Sequence, residues 1–162
     1  MKILDIPGFN NEKTINEAVK QFKFCYEEIN RIKDNLHIIL YFLNYHDTRI
    51  FMNSETPIFE EIKNHKSSKI IYVITHSKPN MDKFEKRKYI RTMKEGLNDI
   101  IEDPENILIP TFENVVFLNF YYDSKSNFQS FGENELYKKI HDIFIMSEVY
   151  QKSLKDKKRK KQ

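Results

Sequence analysis

Glycine and cysteine are scarce in this chain, whose 162 residues include three glycines and one cysteine. A phosphate-binding loop of the form Gly-x-x-x-x-Gly-Lys-Ser/Thr needs two glycines close together, and Gly8, Gly96 and Gly132 are too far apart to supply them. Because Cys25 is the single cysteine, an intramolecular disulfide and a metal cluster built on cysteine ligands are also excluded. We interpret Cys25, on an apolar helix face, as a small hydrophobe rather than a nucleophile.

Long apolar runs are missing as well. The chain has no stretch of about 18 apolar residues, so the sequence predicts no transmembrane helix. Its first residues lack the charged and apolar regions of a signal peptide, which favours a cytoplasmic protein. Hydrophobic residues make up 40% of the chain and charged residues 31%, a balance typical of a soluble globular domain.

Charge is distributed unevenly along the chain. The net charge is +3, yet residues 152–162 contain seven Lys or Arg and one Asp. Subtracting this +6 from +3 leaves −3 for the remainder, which does not indicate a nucleic-acid-binding face. We predict a domain over residues 1–150 and a disordered, solvated basic tail over residues 151–162. Weak contact of the tail with an anionic membrane surface is favoured over specific nucleic-acid binding, because the tail has no aromatic residues to stack on bases.

Apolar runs alternate with helical patterns along the whole chain. Strands are predicted at Ile3 and Leu4 and over residues 36–43, 69–75 and 114–120. Helices are predicted over residues 13–33, 56–62 and 81–101 and after Gly132, with Phe84 on the apolar side of the third helix. The strand runs are continuous rather than alternating, which predicts a parallel sheet covered on both faces. The order indicates an α/β fold of three layers, with ligands bound at the carboxyl ends of the strands.

The first nine residues, MKILDIPGF, lead an apolar run directly into a turn. Asp5 is predicted at the carboxyl end of the first strand, where Pro7 and Gly8 reverse the chain. A carboxylate at that place can hold a hydrated divalent metal ion, and a glycine N–H can approach a bound group closely. The same residues also fit an ordinary turn without a ligand.

A second strand end carries the residues Thr75-His76-Ser77-Lys78, directly after the run KIIYVIT. Together with the Asp-x-Pro-Gly turn of residues 5–8 and with Asn119 at a later strand end, this pattern resembles a translation-factor-related P-loop GTPase domain. The Thr-His pair is similar to that of the immune-associated nucleotide-binding GTPases and the chloroplast import-receptor GTPases. The resemblance implies a P-loop NTPase-like fold over residues 1–145, with GTP and Mg²⁺ as cofactors.

The resemblance also implies roles for five residues. Asp5 would hold Mg²⁺ through water, and Gly8 would donate its N–H to the γ-phosphate. Thr75, His76 and Asn119 would surround the guanine base, with His76 packed on it. No residue matches a catalytic position, so none is assigned to catalysis.

The sequence departs from the family's pattern in two respects. In the base-recognition motif Asn/Thr-Lys-x-Asp, His76 replaces the lysine, and Lys78 replaces the aspartate that reads guanine. The phosphate-binding loop and the first two strands are absent, and in the family the first strand lies between the third and the fourth. From the residues alone, a loop histidine at His76 and a turn residue at Asn119 are equal alternatives.

Three hypotheses for function follow. The first is the carboxyl part of a GTP-binding domain, from a truncated gene or an incomplete gene sequence, which binds nucleotide when the missing segment completes it. A free-standing four-stranded domain is the alternative to such a fragment. The second hypothesis is a nucleotide-free interaction module whose exposed sheet edge and apolar helix faces bind a partner protein or a second copy. The third is a protein that binds anionic surfaces through residues 152–162, with binding that falls as salt rises.

Overall fold

The computed structural model describes residues 12–30, 37–47, 50–65, 68–120 and 129–159. Four α-helices alternate with three strands, so the mixed α/β class is confirmed for this part of the chain. The helices are α1 (Glu12–Asn30), α2 (Thr56–Lys63), α3 (Lys83–Ile100) and α4 (Glu133–Arg159), the strands are β1 (His37–Asn44), β2 (Ser68–Thr75) and β3 (Val115–Phe117), and a 3-10 helix (Asn53–Glu55) precedes α2.

The strands form one parallel sheet in the order β1-β2-β3. The central strand, β2, pairs with β1 along its whole length, from Ser68 opposite His37 to Thr75 opposite Asn44. β3 is shorter than predicted, because only its three residues pair with β2. Parallel strands place their carboxyl ends on the same side of the sheet, which we call the carboxyl edge.

Three helices, α1, α2 and α3, cover one face of the sheet, called the first face. Tyr41 of β1 and Tyr72 of β2 point into this core, whose helix residues recur at spacings of three and four as an amphipathic helix requires. The buried helix residues are Phe22, Tyr26, Ile58, Phe59, Ile62, Ile90, Met93, Leu97 and Ile100. The helical periodicity read from the sequence is confirmed in these segments.

A buried carboxylate lies beside this core. Glu55 accepts hydrogen bonds from the Tyr41 hydroxyl and from the Met52 N–H, the latter at 2.5 Å. Two donors offset part of the cost of removing the carboxylate from water. Burial, with the Glu55 charge as a smaller contribution, raises the pKa of the Tyr41 hydroxyl well above its ordinary value.

The opposite side of the sheet, the second face, is covered unevenly. Side chains of β2, of β3 with the residue after it, and of α4 pack together on this face. They are Ile71, Val73, Val116, Leu118, Leu136, Ile140 and Ile143. On β1, by contrast, Leu40 is 37% exposed and Phe42 is 57% exposed. Ile38, near the start of β1, packs against this cluster. The prediction that every strand is covered on both faces is therefore wrong for Leu40 and Phe42 of β1, where no described helix packs.

Two helices differ from their predicted form. Phe84 is 74% exposed, because it lies nine positions before the buried Met93 and therefore about half a turn around α3 from it, so the prediction that it shares the apolar side of the helix is wrong. α4 continues to Arg159 and includes residues 151–159, which the sequence had assigned to the basic tail. The first predicted strand and its turn lie outside the described residues. Among the helices that are described, none is long and apolar enough to cross a membrane.

Candidate functional site at the carboxyl edge

The carboxyl edge contains three of the five residues that the sequence predicted for the site. Thr75 ends β2, His76 follows it, and Asn119 lies just beyond β3. Asp5 and Gly8, the predicted contacts of Mg²⁺ and the γ-phosphate, lie outside the described residues. The geometry of the edge therefore bears on the base-binding end of the predicted site.

Thr75 ties the end of β2 to β1. Its Oγ1 donates a hydrogen bond to the carbonyl oxygen of Leu43 at 3.0 Å. Its own carbonyl oxygen accepts the N–H of Tyr45 at 2.9 Å. Thr75 therefore positions the loops that follow β1 and β2 relative to each other.

His76 reverses the chain at the end of β2. Its φ of +53° lies in the left-handed region, which a residue with a Cβ adopts at a cost and which surrounding contacts must support. The side chain is exposed, and its Nδ1 lies 3.3 Å from Thr75 Oγ1. An exposed imidazole on a fixed backbone offers a flat surface on which a planar ring can stack.

Ser77 makes several hydrogen bonds that hold the turn at His76 in place, although the sequence did not single it out as a site residue. It is fully buried, and its hydroxyl donates to the carbonyl oxygen of Ile74 at 2.6 Å. Its N–H donates to Leu118 at 3.2 Å, and its carbonyl oxygen accepts the side-chain amide of Asn119 at 3.1 Å. A small hydroxyl residue directly after an apolar strand is the signal that points to such a turn.

Asn119 also connects β3 to the start of α4. Its backbone exchanges two hydrogen bonds with Phe131, at 3.1 and 3.0 Å. Gly132, which follows Phe131, has a φ of +94°, and a Cβ at Gly132 would lie 2.3 Å from the carbonyl oxygen of Phe117. Because only glycine tolerates this approach, Gly132 allows α4 to begin directly against the end of β3.

Lys78, which the sequence predicts in the place of a guanine-reading aspartate, pairs with Glu85 in the first turn of α3. Glu85 also forms a capping box with Asp82, in which the Glu85 N–H donates to Asp82 Oδ1 at 2.8 Å and the Asp82 N–H donates to Glu85 Oε2 at 3.1 Å. The hydrogen bond between Lys78 and Glu85 raises the pKa of the lysine and lowers the pKa of the glutamate. A cation and a carboxylate therefore lie together after the end of β2.

A cavity of about 320 Å³ lies beside this edge, between the residue after β1 and the first half of α3. Its lining residues are Tyr45, Phe84, Glu85, Lys88, Tyr89 and Thr92. The rings of Tyr45 and Tyr89 stack with centroids 5.3 Å apart and planes 20° from parallel. Among the described residues, the buried Tyr89 hydroxyl has no hydrogen-bond partner. Burial, together with the charge of Asp47, raises the pKa of Tyr89 to about 12.

The described edge offers hydrogen bonding and ring stacking rather than a cluster of metal ligands. No group of three or more His, Cys, Asp or Glu residues that could hold a metal ion occurs within the part of the chain that the structure describes. The predicted Mg²⁺ ligand, Asp5, is not in that part. Comparison with models of known families, with curated proteins and with solved structures gives no match for this chain.

Proposed function

We propose that this chain is part of a GTP-binding domain of the GTPase type, which binds nucleotide with Mg²⁺ when a segment with a phosphate-binding loop completes it. The carboxyl edge carries the proposal, because Thr75, His76 and Asn119 lie at neighbouring strand ends. The hydrogen bond between Asn119 and Ser77 holds these two strand ends together. In open α/β sheets, nucleotides bind at this edge.

The unequal cover of the sheet supports the same proposal. In the family that the sequence resembles, the absent first strand belongs beside the strand that corresponds to β1. Within the described residues β1 pairs on one side only, and Leu40 and Phe42 are exposed on its second face. A strand followed by a phosphate-binding loop and a helix would pair with this edge and cover both side chains.

The three described residues would have different tasks in such a domain. His76 would stack on the base, since it is the one aromatic side chain of the three and the most exposed. Thr75 and Asn119 would hold the loops in place, because their side chains bond to backbone oxygens of Leu43 and Ser77. Since Lys78 and Glu85 replace a single carboxylate, we expect a weaker preference for guanine than the family motif provides.

The test begins with the transcript upstream of the codon for Met1, read for an in-frame phosphate-binding loop. The extended chain and the present chain are then titrated with a fluorescent GTP analogue, in Mg²⁺ and in EDTA. We expect Mg²⁺-dependent binding by the extended chain alone. In the extended chain, His76→Ala should weaken binding about tenfold, since stacking of a base on an aromatic ring is worth roughly 1–3 kcal/mol.

A matched control is His46→Ala, which removes another exposed histidine from the loop after β1 and should leave affinity unchanged. Equal losses from both substitutions would remove the role of His76. An upstream stop codon, or an extended chain that binds no nucleotide, would refute the proposed function itself.

A second function, a nucleotide-free interaction module, is favoured by the composition of β1. Its residues 37–44 include no Lys, Arg, Asp, Glu, Pro or Gly, the residues that commonly keep edge strands from pairing with other chains. The occupant of this edge would be β1 of a second copy. Sedimentation velocity of the present chain without nucleotide tests this function: a concentration-dependent dimer supports it, and a monomer at every concentration contradicts it.

A further inference from the structure

We propose that the C-terminal end of α4 docks this protein on anionic membrane surfaces. The segment concerned is residues 152–159, which we call the basic arm and which contains five Lys or Arg and one Asp. Lys160 and Lys161 extend the charge along the chain. A cluster of this size is attracted to acidic lipid headgroups by about 1 kcal/mol for each basic residue near the surface.

The arm is part of a continuous helix rather than a separate tail. α4 has 27 residues, which at about 1.5 Å per residue make a helix roughly 40 Å long. The eight-residue strands β1 and β2 span only about 26 Å at roughly 3.3 Å per residue. The helix is therefore longer than the sheet on which it packs, and its far end extends away from the core.

The direction of α4 separates the arm from the candidate site. The helix begins at the carboxyl edge, where Phe131 bonds to Asn119, and Leu136, Ile140 and Ile143 then pack along the second face. It therefore runs toward the amino ends of the strands, and the arm follows beyond them. A membrane bound by the arm would leave the carboxyl edge open to solution.

Two exposed apolar side chains lie on α4 about two turns before the basic arm. Ile145 is 44% exposed and Met146 is 70% exposed. Positions 152 and 159 follow position 145 at intervals of seven residues, which places the three positions near one face of a helix. Stable attachment to a membrane usually needs a charged and an apolar contact together, and this helix has residues for both.

Charge would also orient the protein at the surface. Residues 152–162 carry +6 while the other residues carry −3, so an acidic bilayer attracts one end of the molecule and repels the remainder. The exposed residues that precede the arm, Phe144, Ile145 and Met146, are apolar and suit insertion among lipids, while residues 152–162 contain no aromatic residue to stack on bases. The membrane is therefore the occupant that these observations favour over RNA.

The experiment is co-sedimentation of the full chain with phosphatidylcholine vesicles, with and without phosphatidylserine. We expect binding only with phosphatidylserine, and we expect it to fall as salt rises from about 0.1 M to 1 M, because the screening length shortens from about 10 Å to about 3 Å. Replacing Lys157, Lys158 and Arg159 by Gln should weaken binding about a hundredfold. Ile145→Ser combined with Met146→Ser should weaken it several-fold at either salt concentration.

The matched control replaces three exposed basic residues of α3, Lys83, Arg87 and Lys94, by Gln, which changes the net charge by the same amount. We expect this variant to bind vesicles as the native chain does, and circular dichroism checks that α4 remains helical in every variant. Equal losses in the two triple variants would overturn the proposal, since net charge would then explain the binding. Binding to single-stranded RNA that is tighter than binding to the acidic vesicles, or no vesicle binding at low salt, would overturn it as well.

Discussion

The two faces of the sheet are built from equally apolar strands, yet they are covered very differently. On the first face, Tyr41, Phe51, Phe59 and Tyr72 form a connected aromatic cluster, with Tyr41 and Phe59 centroids 5.0 Å apart and Phe51 and Phe59 centroids 5.2 Å apart. These distances and the inclined rings are those that aromatic pairs prefer. Three helices pack against this face over all three strands.

Within the described residues, the second face is covered over β2 and β3 and at Ile38 near the start of β1. α4 packs there through a single row of residues one and two turns apart, Leu136, Ile140 and Ile143, each of them partly buried. Phe42 on β1 stays exposed, although it lies in the same apolar run as the buried Tyr41 and Leu43. The comparison teaches that one face carries the stability of the described fold, while the other has room for a further element or a partner.

The largest predicted effect is on the first face, at Phe59. Phe59→Ala should lower the free energy of unfolding by about 3–5 kcal/mol, because the fully buried ring leaves a cavity among its aromatic neighbours. The matched change on the second-face helix, Phe144→Ala, should cost about 1 kcal/mol or less, since Phe144 is partly exposed. Urea denaturation followed by circular dichroism measures both. Equal costs would contradict the difference between the faces.

A smaller effect concerns two tyrosines that face the same core. The Tyr72 hydroxyl donates to the carbonyl oxygen of Leu108 at 2.6 Å, so Tyr72→Phe should destabilise the protein by about 1 kcal/mol. The Tyr89 hydroxyl is buried and has no partner among the described residues, so Tyr89→Phe should instead stabilise it by up to about 1 kcal/mol. Thermal unfolding of both variants checks the opposite signs, and a loss of stability in Tyr89→Phe would show that the hydroxyl has a partner in solution.

The difference in stability between the native chain and Tyr89→Phe should depend on pH. The pKa of Tyr89 is raised to about 12 in the folded protein, above its ordinary value of about 10. The unfolded chain therefore loses the Tyr89 proton at a lower pH than the folded protein does, and the folded protein loses stability as the pH rises from about 10 to about 12. The advantage of Tyr89→Phe over the native chain should therefore grow between about pH 10 and pH 12, and an advantage that stays constant would contradict the raised pKa.

The smallest effect on stability is expected at the open part of the second face. Phe42→Thr should change the free energy of unfolding by less than about 0.5 kcal/mol, because the side chain is more than half exposed and threonine suits a strand. If β1 pairs with another copy, the same substitution should reduce self-association in sedimentation experiments. Tyr41→Thr, on the first face of the same strand, should by contrast cost several kcal/mol.

Local patterns predicted most of the elements. The spacing of Ile15, Ala18, Phe22 and Tyr26 predicted α1, and Pro57 at the beginning of α2 predicted where that helix starts. The apolar runs predicted β1 and β2 to within about one residue of their ends. These features follow from contacts between residues close in sequence, so the sequence determined them without knowledge of the rest of the chain.

The site was predictable only in part. The predicted parallel sheet indicated that ligands would bind at the strand ends, and the resemblance to GTPases indicated Thr75, His76 and Asn119 there. The sequence did not indicate the tasks of these residues, since Asn119 bonds to Ser77 across 42 positions and Thr75 bonds to Leu43 across 32. Nor did it identify Tyr89, whose hydroxyl has no partner among the described residues because of how α3 packs beside the loop after β1.

The sequence by itself determined the order of helices and strands, the parallel sheet and the charge contrast between the body and the basic arm. Only the tertiary structure decided which strand face is left open and how the strand ends are joined. The physical reason is that an apolar run such as residues 36–43 has the same local preference for a strand whether or not a helix covers it. Cover depends on the length and direction of a helix elsewhere in the chain, and α4 passes over β2 and β3 while leaving Leu40 and Phe42 of β1 exposed.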